Sequence, residues 1–228
     1  MHPFVGFVAA YLLGSIPAAY IAGRLHGTDL RTHGSGNLGA TNAWRLFGWK
    51  TGLPVYLFDM AKGAAPVVLF PGMMDTSARA EWAIGYGVAA IFGHYKPIYL
   101  GGKGGGKGVA TAAGVFTALA PVAALLALTA FGVILAATGF VSMGSLTAAI
   151  VLVLSILITM GTRAPVFPLS LLIAAFVFWT HRHNITRLAH GEENRFGTPG
   201  QLGGAAMLGV AVGITLIAVA VSVAVRGR

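Results

Sequence analysis

Long apolar runs divide the chain, and they set the fold class before any motif is considered. They lie at 3–23, 52–73, 81–100, 141–160, 164–180 and 203–225, with a further run at 108–139. A hydrocarbon core of about 30 Å takes about 20 apolar residues per helix, so each of the first group suits one crossing. The run 108–139 is too long for one straight span and contains Pro121, which predicts two short helices joined by a break. Of 228 residues, 56% are hydrophobic and only 9% charged. No soluble domain of this size can hide so much apolar surface. The expected fold is all-α, a polytopic transmembrane helix bundle.

Loop charge predicts the sidedness. The loop 24–51 carries Arg24, Arg31, Arg45 and Lys50 against Asp29 alone, which places it on the inner side. The segment 96–107, with Lys96, Lys103 and Lys107, and the loop 181–200, with Arg182, Arg187 and Arg195, fall on the same side. These assignments require an even number of crossings between Lys107 and His181. They give about seven spans up to His181 and an extra C-terminal span at 203–225. The expected organisation is a membrane domain over 1–197 and a C-terminal transmembrane extension over 198–228. The N-terminus lacks a basic region ahead of its first apolar run, so that run is expected to be a retained span.

The net charge is +9. Membrane spans interrupt the cations, so we expect inner loops and anionic partners rather than nucleic acid. There is no cysteine, which excludes disulfides, thiolate nucleophiles and Cys-ligated metals. The histidines and acids show no metal-binding spacing such as HExxH, so no metal is expected. There is no GxSxG elbow for a serine hydrolase.

Three polar clusters remain, all on the predicted inner side. The most specific is GGKGGGKGVAT, Gly101–Thr111. A glycine-rich turn entering a helix offers several backbone N–H groups to one anion, and the helix dipole adds to their pull. Lys107 supplies a mobile charge. The stretch departs from a Walker A loop because Gly108 stands where the magnesium-binding hydroxyl belongs; a merely flexible connection is the bland alternative. A second cluster comprises Ser35, Asn37, Thr41, Asn42 and Arg45. Its groups suit hydroxyls and a phosphate, with Arg45 as a bidentate fork, or else form a capped turn entering a helix. The third contains His181 and Asn184, three apart on one helical face, with His183 pointing elsewhere. That pair suits acid–base work or phosphate holding. Asp59 and Lys62 also lie three apart inside an apolar run, and read equally as a functional pair or a structural ion pair. His94 beside Tyr95 is more naturally structural. Ser142 and Ser145 suit substrate binding or helix packing.

Together, YLLGSIPAAY (11–20), SGNLGATN with Arg45, DMAKG (59–63), GHYKP (93–97), GGKGVAT (105–111), VSMGSL (141–146), and HRHNITRL with GEE (181–193) resemble one family. It is the bacterial acyl-phosphate:glycerol-3-phosphate acyltransferases, and the resemblance covers roughly residues 3 to 197. It implies an enzyme of the bacterial inner membrane, with its site on the cytoplasmic side, using no metal or other cofactor. Its substrates would be acyl phosphate and glycerol 3-phosphate. Ser35, Asn37 and Asn42 would line the substrate pocket, and Arg45 would hold a phosphate. Gly105, Gly106, Lys107 and Gly108 would bind phosphate, and Ser145, His181 and Asn184 would position glycerol 3-phosphate. Glu192 would orient the basic groups nearby. His181 or the substrate's own phosphate would serve as base. The family pattern FKGGKGVAT is altered here, since Gly104 stands at the lysine position and Lys103 lies one residue farther away. A transporter of a phosphorylated small molecule is the rival reading, because broken helices and glycine loops also hold anions in transporters.

Overall fold

A computed structural model describes residues 2–74 and 77–196. The expected extension 198–228, with its span, lies outside the described residues. Among the described residues all regular structure is helical, as the apolar runs require. The chain forms two compact units, divided between Val115 and Phe116.

The first unit contains α1 (Pro3–Gly14), α2 (Ala18–Leu25), α3 (Ala40–Phe47), α4 (Trp49–Leu69), α5 (Arg79–Tyr95) and the start of α6 (Val109–Leu119). Its helices approach through glycine. A Cβ at Gly14 would overlap the Ala90 carbonyl, and one at Gly93 would overlap the Tyr11 carbonyl, so α1 and α5 touch backbone to backbone. Gly63 on α4 and Gly114 on α6 do the same against the carbonyls of Thr111 and Met60. In lipid, where burial of side chains from water gives no drive between helices, such close packing supplies much of the cohesion.

The first apolar run is not one straight helix. It breaks at residues 15–17, between α1 and α2, because Pro17 has no N–H to continue the ladder. The Ser15 hydroxyl donates back to Tyr11 O at 2.8 Å, and Lys62 Nζ reaches Ile16 O at 2.8 Å. Both bonds satisfy backbone carbonyls at the break.

The second unit holds the end of α6, then α7 (Pro121–Thr138), α8 (Val141–Met160), α9 (Val166–Thr180) and α10 (Arg182–Ala189). The long run divides as expected, at Ala120 before Pro121. Gly139, at φ 74°, ends α7, and the two-residue link turns the chain into the α7–α8 hairpin. Gly144 seats the Phe131 side chain and lets those two helices close.

Among the described residues, four helical segments are long and apolar enough to cross a membrane: Pro3–Leu25, Trp49–Met73, Pro121–Thr138 and Val141–Met160. Shorter apolar helices occupy Val109–Leu119 and Val166–Thr180. Phe4, Leu69, Val133, Leu154 and Ile158 are exposed. Apolar exposure on that scale fits lipid rather than water, and the chain is a membrane protein.

Candidate functional site

The glycine loop begins where α5 stops at Tyr95. Pro97 and a single 3₁₀ turn, Ile98–Leu100, precede Gly101. Gly101, Gly102, Gly104 and Gly108 all take positive φ, between 63° and 80°, a region costly for residues with a Cβ. Gly105 and Gly106 do something different. A Cβ on Gly105 would collide with the Tyr95 carbonyl, and one on Gly106 with the His94 ring. The Gly106 N–H donates to His94 O at 3.2 Å. The loop is therefore folded back on the last carbonyls of α5, then released through Lys107 and Gly108 into α6. The opening N–H groups of α6 have no acceptors within their own helix, which suits that end to an anion. Gly106 spends its N–H on the protein, so its contribution is to shape the loop.

The second cluster is built around Asn42, which is 0% exposed. Its amide donates to Leu30 O at 3.2 Å and His33 O at 3.0 Å, and its oxygen accepts the Ser35 N–H at 3.0 Å. Asn42 thus ties down the 30–35 loop from a buried position. Ser35 is exposed, and Asn37, Thr41 and Arg45 are half-buried. Beside them Asp29 takes Arg31 bidentately, at 2.6–3.1 Å, and the guanidinium lies 5.1 Å from the Tyr20 ring centroid. The Arg31 hydrogen bonds hold the Asp29 carboxyl down at about 2 and raise the Arg31 pKa. The Arg31 stem packs beside Gly104, within 3.2 Å of where a Cβ there would stand.

Asp59 and Lys62 form a buried ion pair at 2.6 Å. His94 joins them from α5, its Nδ1 3.5 Å from the same Asp59 oxygen. The sequence suggested the pair but not the third member, since nothing in spacing brings residue 94 to residue 59.

In the second unit one carboxylate ties the third cluster together. Glu193 Oε1 accepts from Asn184 Nδ2 at 2.7 Å and Ser142 Oγ at 3.0 Å, and Oε2 accepts from Arg187 Nε at 2.8 Å. Partial burial works to raise the Glu193 pKa, but the bonds from Asn184, Arg187 and Ser142 outweigh it and hold the carboxyl below the ordinary glutamate value. The expected orienting acid, Glu192, is exposed. Gly191, at φ 73°, reverses the chain after α10 and sends Glu193, not its neighbour, back toward Asn184. Likewise Ser142, not Ser145, joins the network; the Ser145 hydroxyl returns to Val141 O at 2.9 Å.

His181 sits at the α9–α10 junction, 3% exposed, with Nδ1 2.8 Å from Val177 O. A carbonyl only accepts, so Nδ1 carries a proton. Asn184 is buried one turn on and His183 is exposed, the division that the helical spacing predicts. Among the described residues no three His, Asp or Glu side chains gather in a way that could hold a metal ion.

Fold and polar clusters together define an α-helical integral membrane protein with a glycine loop poised at a helix start. Sequence comparison then fixes the family: the profile named Glycerol-3-phosphate acyltransferase matches residues 4–191, and the chain belongs to that family. A glycerol-3-phosphate acyltransferase of Anaeromyxobacter dehalogenans (strain 2CP-C) is 45% identical over 189 residues, 82% of this chain and 94% of the relative. One from Geobacter sulfurreducens is 42% identical over the same length, with the same coverage. The fold is similar to the crystal structure of PlsY (YgiH), an integral membrane glycerol 3-phosphate acyltransferase. In its glycerol 3-phosphate form the TM-score is 0.79 at 38% identity, covering 87% of this chain and 97% of that one. Its lysophosphatidic acid form gives 0.77 at 36% identity, with the same coverage.

Proposed function

We propose that the chain transfers a fatty acyl group from acyl phosphate to the 1-hydroxyl of glycerol 3-phosphate, releasing 1-acyl-glycerol 3-phosphate and inorganic phosphate, the first step of phospholipid synthesis. The observation that carries this reading is the glycine loop, folded on α5 so that Lys107 and the opening N–H groups of α6 lead away from it. That arrangement supplies positive charge and dipole without a metal, as a departing phosphate requires. The solved relatives in glycerol 3-phosphate and lysophosphatidic acid forms support the acceptor and the product.

Acyl phosphate is a mixed anhydride, already activated, so the reading has direct attack by the acceptor hydroxyl with no acyl-enzyme. Lys107 and Gly108 stabilise the phosphate, and Arg45, Ser35, Thr41 and Asn37 offer a fork and hydroxyl partners. His181 and Asn184 hold glycerol 3-phosphate, with His181 or the substrate phosphate taking the hydroxyl proton. The site faces the cytoplasm of a bacterial inner membrane, in a core of about seven spans; loop charge supports that sidedness. The acyl chain enters from the bilayer.

Purified protein given palmitoyl phosphate and glycerol 3-phosphate tests this. Phosphate release that depends on glycerol 3-phosphate and collapses in Lys107→Ala and His181→Ala supports the reading. No release from folded wild-type protein refutes it, and counterflow of labelled glycerol 3-phosphate in sealed vesicles would then favour a transporter.

A further inference from the structure

We infer that the buried Asp59–Lys62–His94 cluster positions the glycine loop for its phosphate ligand, with His94 as the joint between them; this rests on the phosphate role proposed for the loop. The three residues are 1%, 2% and 7% exposed, and the acyl transfer described above uses none of them. Ionisable groups inside a membrane protein are costly to keep. An ion pair accounts for Asp59 and Lys62 by mutual neutralisation, but not for the histidine.

The geometry gives the histidine its work. His94 Nδ1 lies 3.5 Å from the Asp59 carboxylate, an electrostatic contact rather than a formed hydrogen bond, because that Asp59 oxygen has no hydrogen-bond partner. The ring is held with its Nε2 edge against Gly106, filling the space a Cβ there would need. The main chain of the same residue accepts the Gly106 N–H at 3.2 Å. Gly106 is thus fixed by both the side chain and the backbone of His94, one position ahead of Lys107. Lys62 extends the cluster to Ile16 O at 2.8 Å, so the broken first run, α4, α5 and the loop share one polar anchor. A ring displaced by about 1 Å would carry the loop with it, and a misplacement of that size can cost about a hundredfold in rate.

The test uses full-length protein in detergent, with inorganic phosphate as the binding probe and the two substrates for kinetics. In His94→Asn the amide nitrogen can stand near the Nδ1 position, but nothing reaches Gly106. In His94→Gln the amide reaches toward Gly106 and gives up the Nδ1 position. Three readouts are taken: Tm without ligand, the rise in Tm with inorganic phosphate, and KM separately from kcat. We expect His94→Asn to keep its Tm within a few degrees of wild type. Its KM for a phosphate-bearing substrate should rise about ten- to a hundredfold, and its phosphate-induced rise in Tm should vanish.

Unchanged KM and an unchanged phosphate effect would overturn the inference. So would a kcat that falls only with the folded fraction at constant KM, which marks a purely structural role. Should His94→Asn fail to fold, His94→Gln is judged by the same two outcomes. A wild-type protein whose Tm rises with phosphate, but which turns over no acyl phosphate, would sink the proposed reaction; the inference would still stand if the variant lost that rise. A wild-type protein indifferent to phosphate would overturn the positioning role itself.

Discussion

Breaking the Asp59–Lys62 pair from one side should be far more damaging than removing both charges. Both groups are nearly inaccessible, and they meet at 2.6 Å. Lys62→Met keeps most of the side-chain volume but leaves the Asp59 carboxylate with only His94 near it, and leaves Ile16 O with the Ala18 N–H alone. Removing one member of a buried pair typically costs about 3–5 kcal/mol, because the survivor is a buried charge without compensation. Asp59→Asn should fall in the same range for the mirrored reason. In the double variant neither charge remains, so its cost should be smaller than the sum of the two by about 2 kcal/mol or more. The assay is reversible unfolding in mixed micelles, followed by tryptophan fluorescence and far-UV circular dichroism at all four corners of the cycle. Additivity within about 0.5 kcal/mol, or single variants each costing under about 1 kcal/mol, would refute the reasoning. Either result would mean that water or a shifted backbone already neutralises the pair.

Three further outcomes follow from the geometry. Gly105→Ala must push backbone off backbone at Tyr95, and overpacking of that kind costs about 1–3 kcal/mol; phosphate release should fall about tenfold or more. Glu193→Gln should lower thermal stability measurably, whereas Glu192→Gln, on an exposed side chain, should stay within about 0.5 kcal/mol of wild type. Because the folded Glu193 pKa lies below the ordinary glutamate value, the stability it contributes is complete above that value and is lost as pH falls through the lowered one. A Tm-versus-pH series should therefore flatten in its acid limb in Glu193→Gln, and a parallel acid limb in both proteins would count against the network.

Much of the candidate site was legible because glycine and lysine in a short loop carry their reasons locally. Lys107 at the mouth of α6 follows from sequence, as does the division between buried Asn184 and exposed His183, since helical spacing fixes both. For Asn42 the residue type says hydrogen bonding, but only the fold reveals that its amide donates to Leu30 and His33 and its oxygen accepts from Ser35. Glu192 and Glu193 are indistinguishable as letters, and the reversal at Gly191 chooses between them. Ser142 and Ser145 differ in the same way, one aimed at Glu193 and the other turned onto its own helix.

The sequence by itself determined that this is a membrane protein, helical among the described residues, where the long 108–139 run breaks, and that a glycine-rich loop enters α6. Those properties depend on hydropathy, proline and glycine acting over a few residues. Tertiary structure alone decided that His94 completes the Asp59–Lys62 pair and that Gly105 and Gly106 serve by close packing. Each of these depends on which backbone lies against which, and contacts between residues tens of positions apart leave no periodicity for a sequence to display.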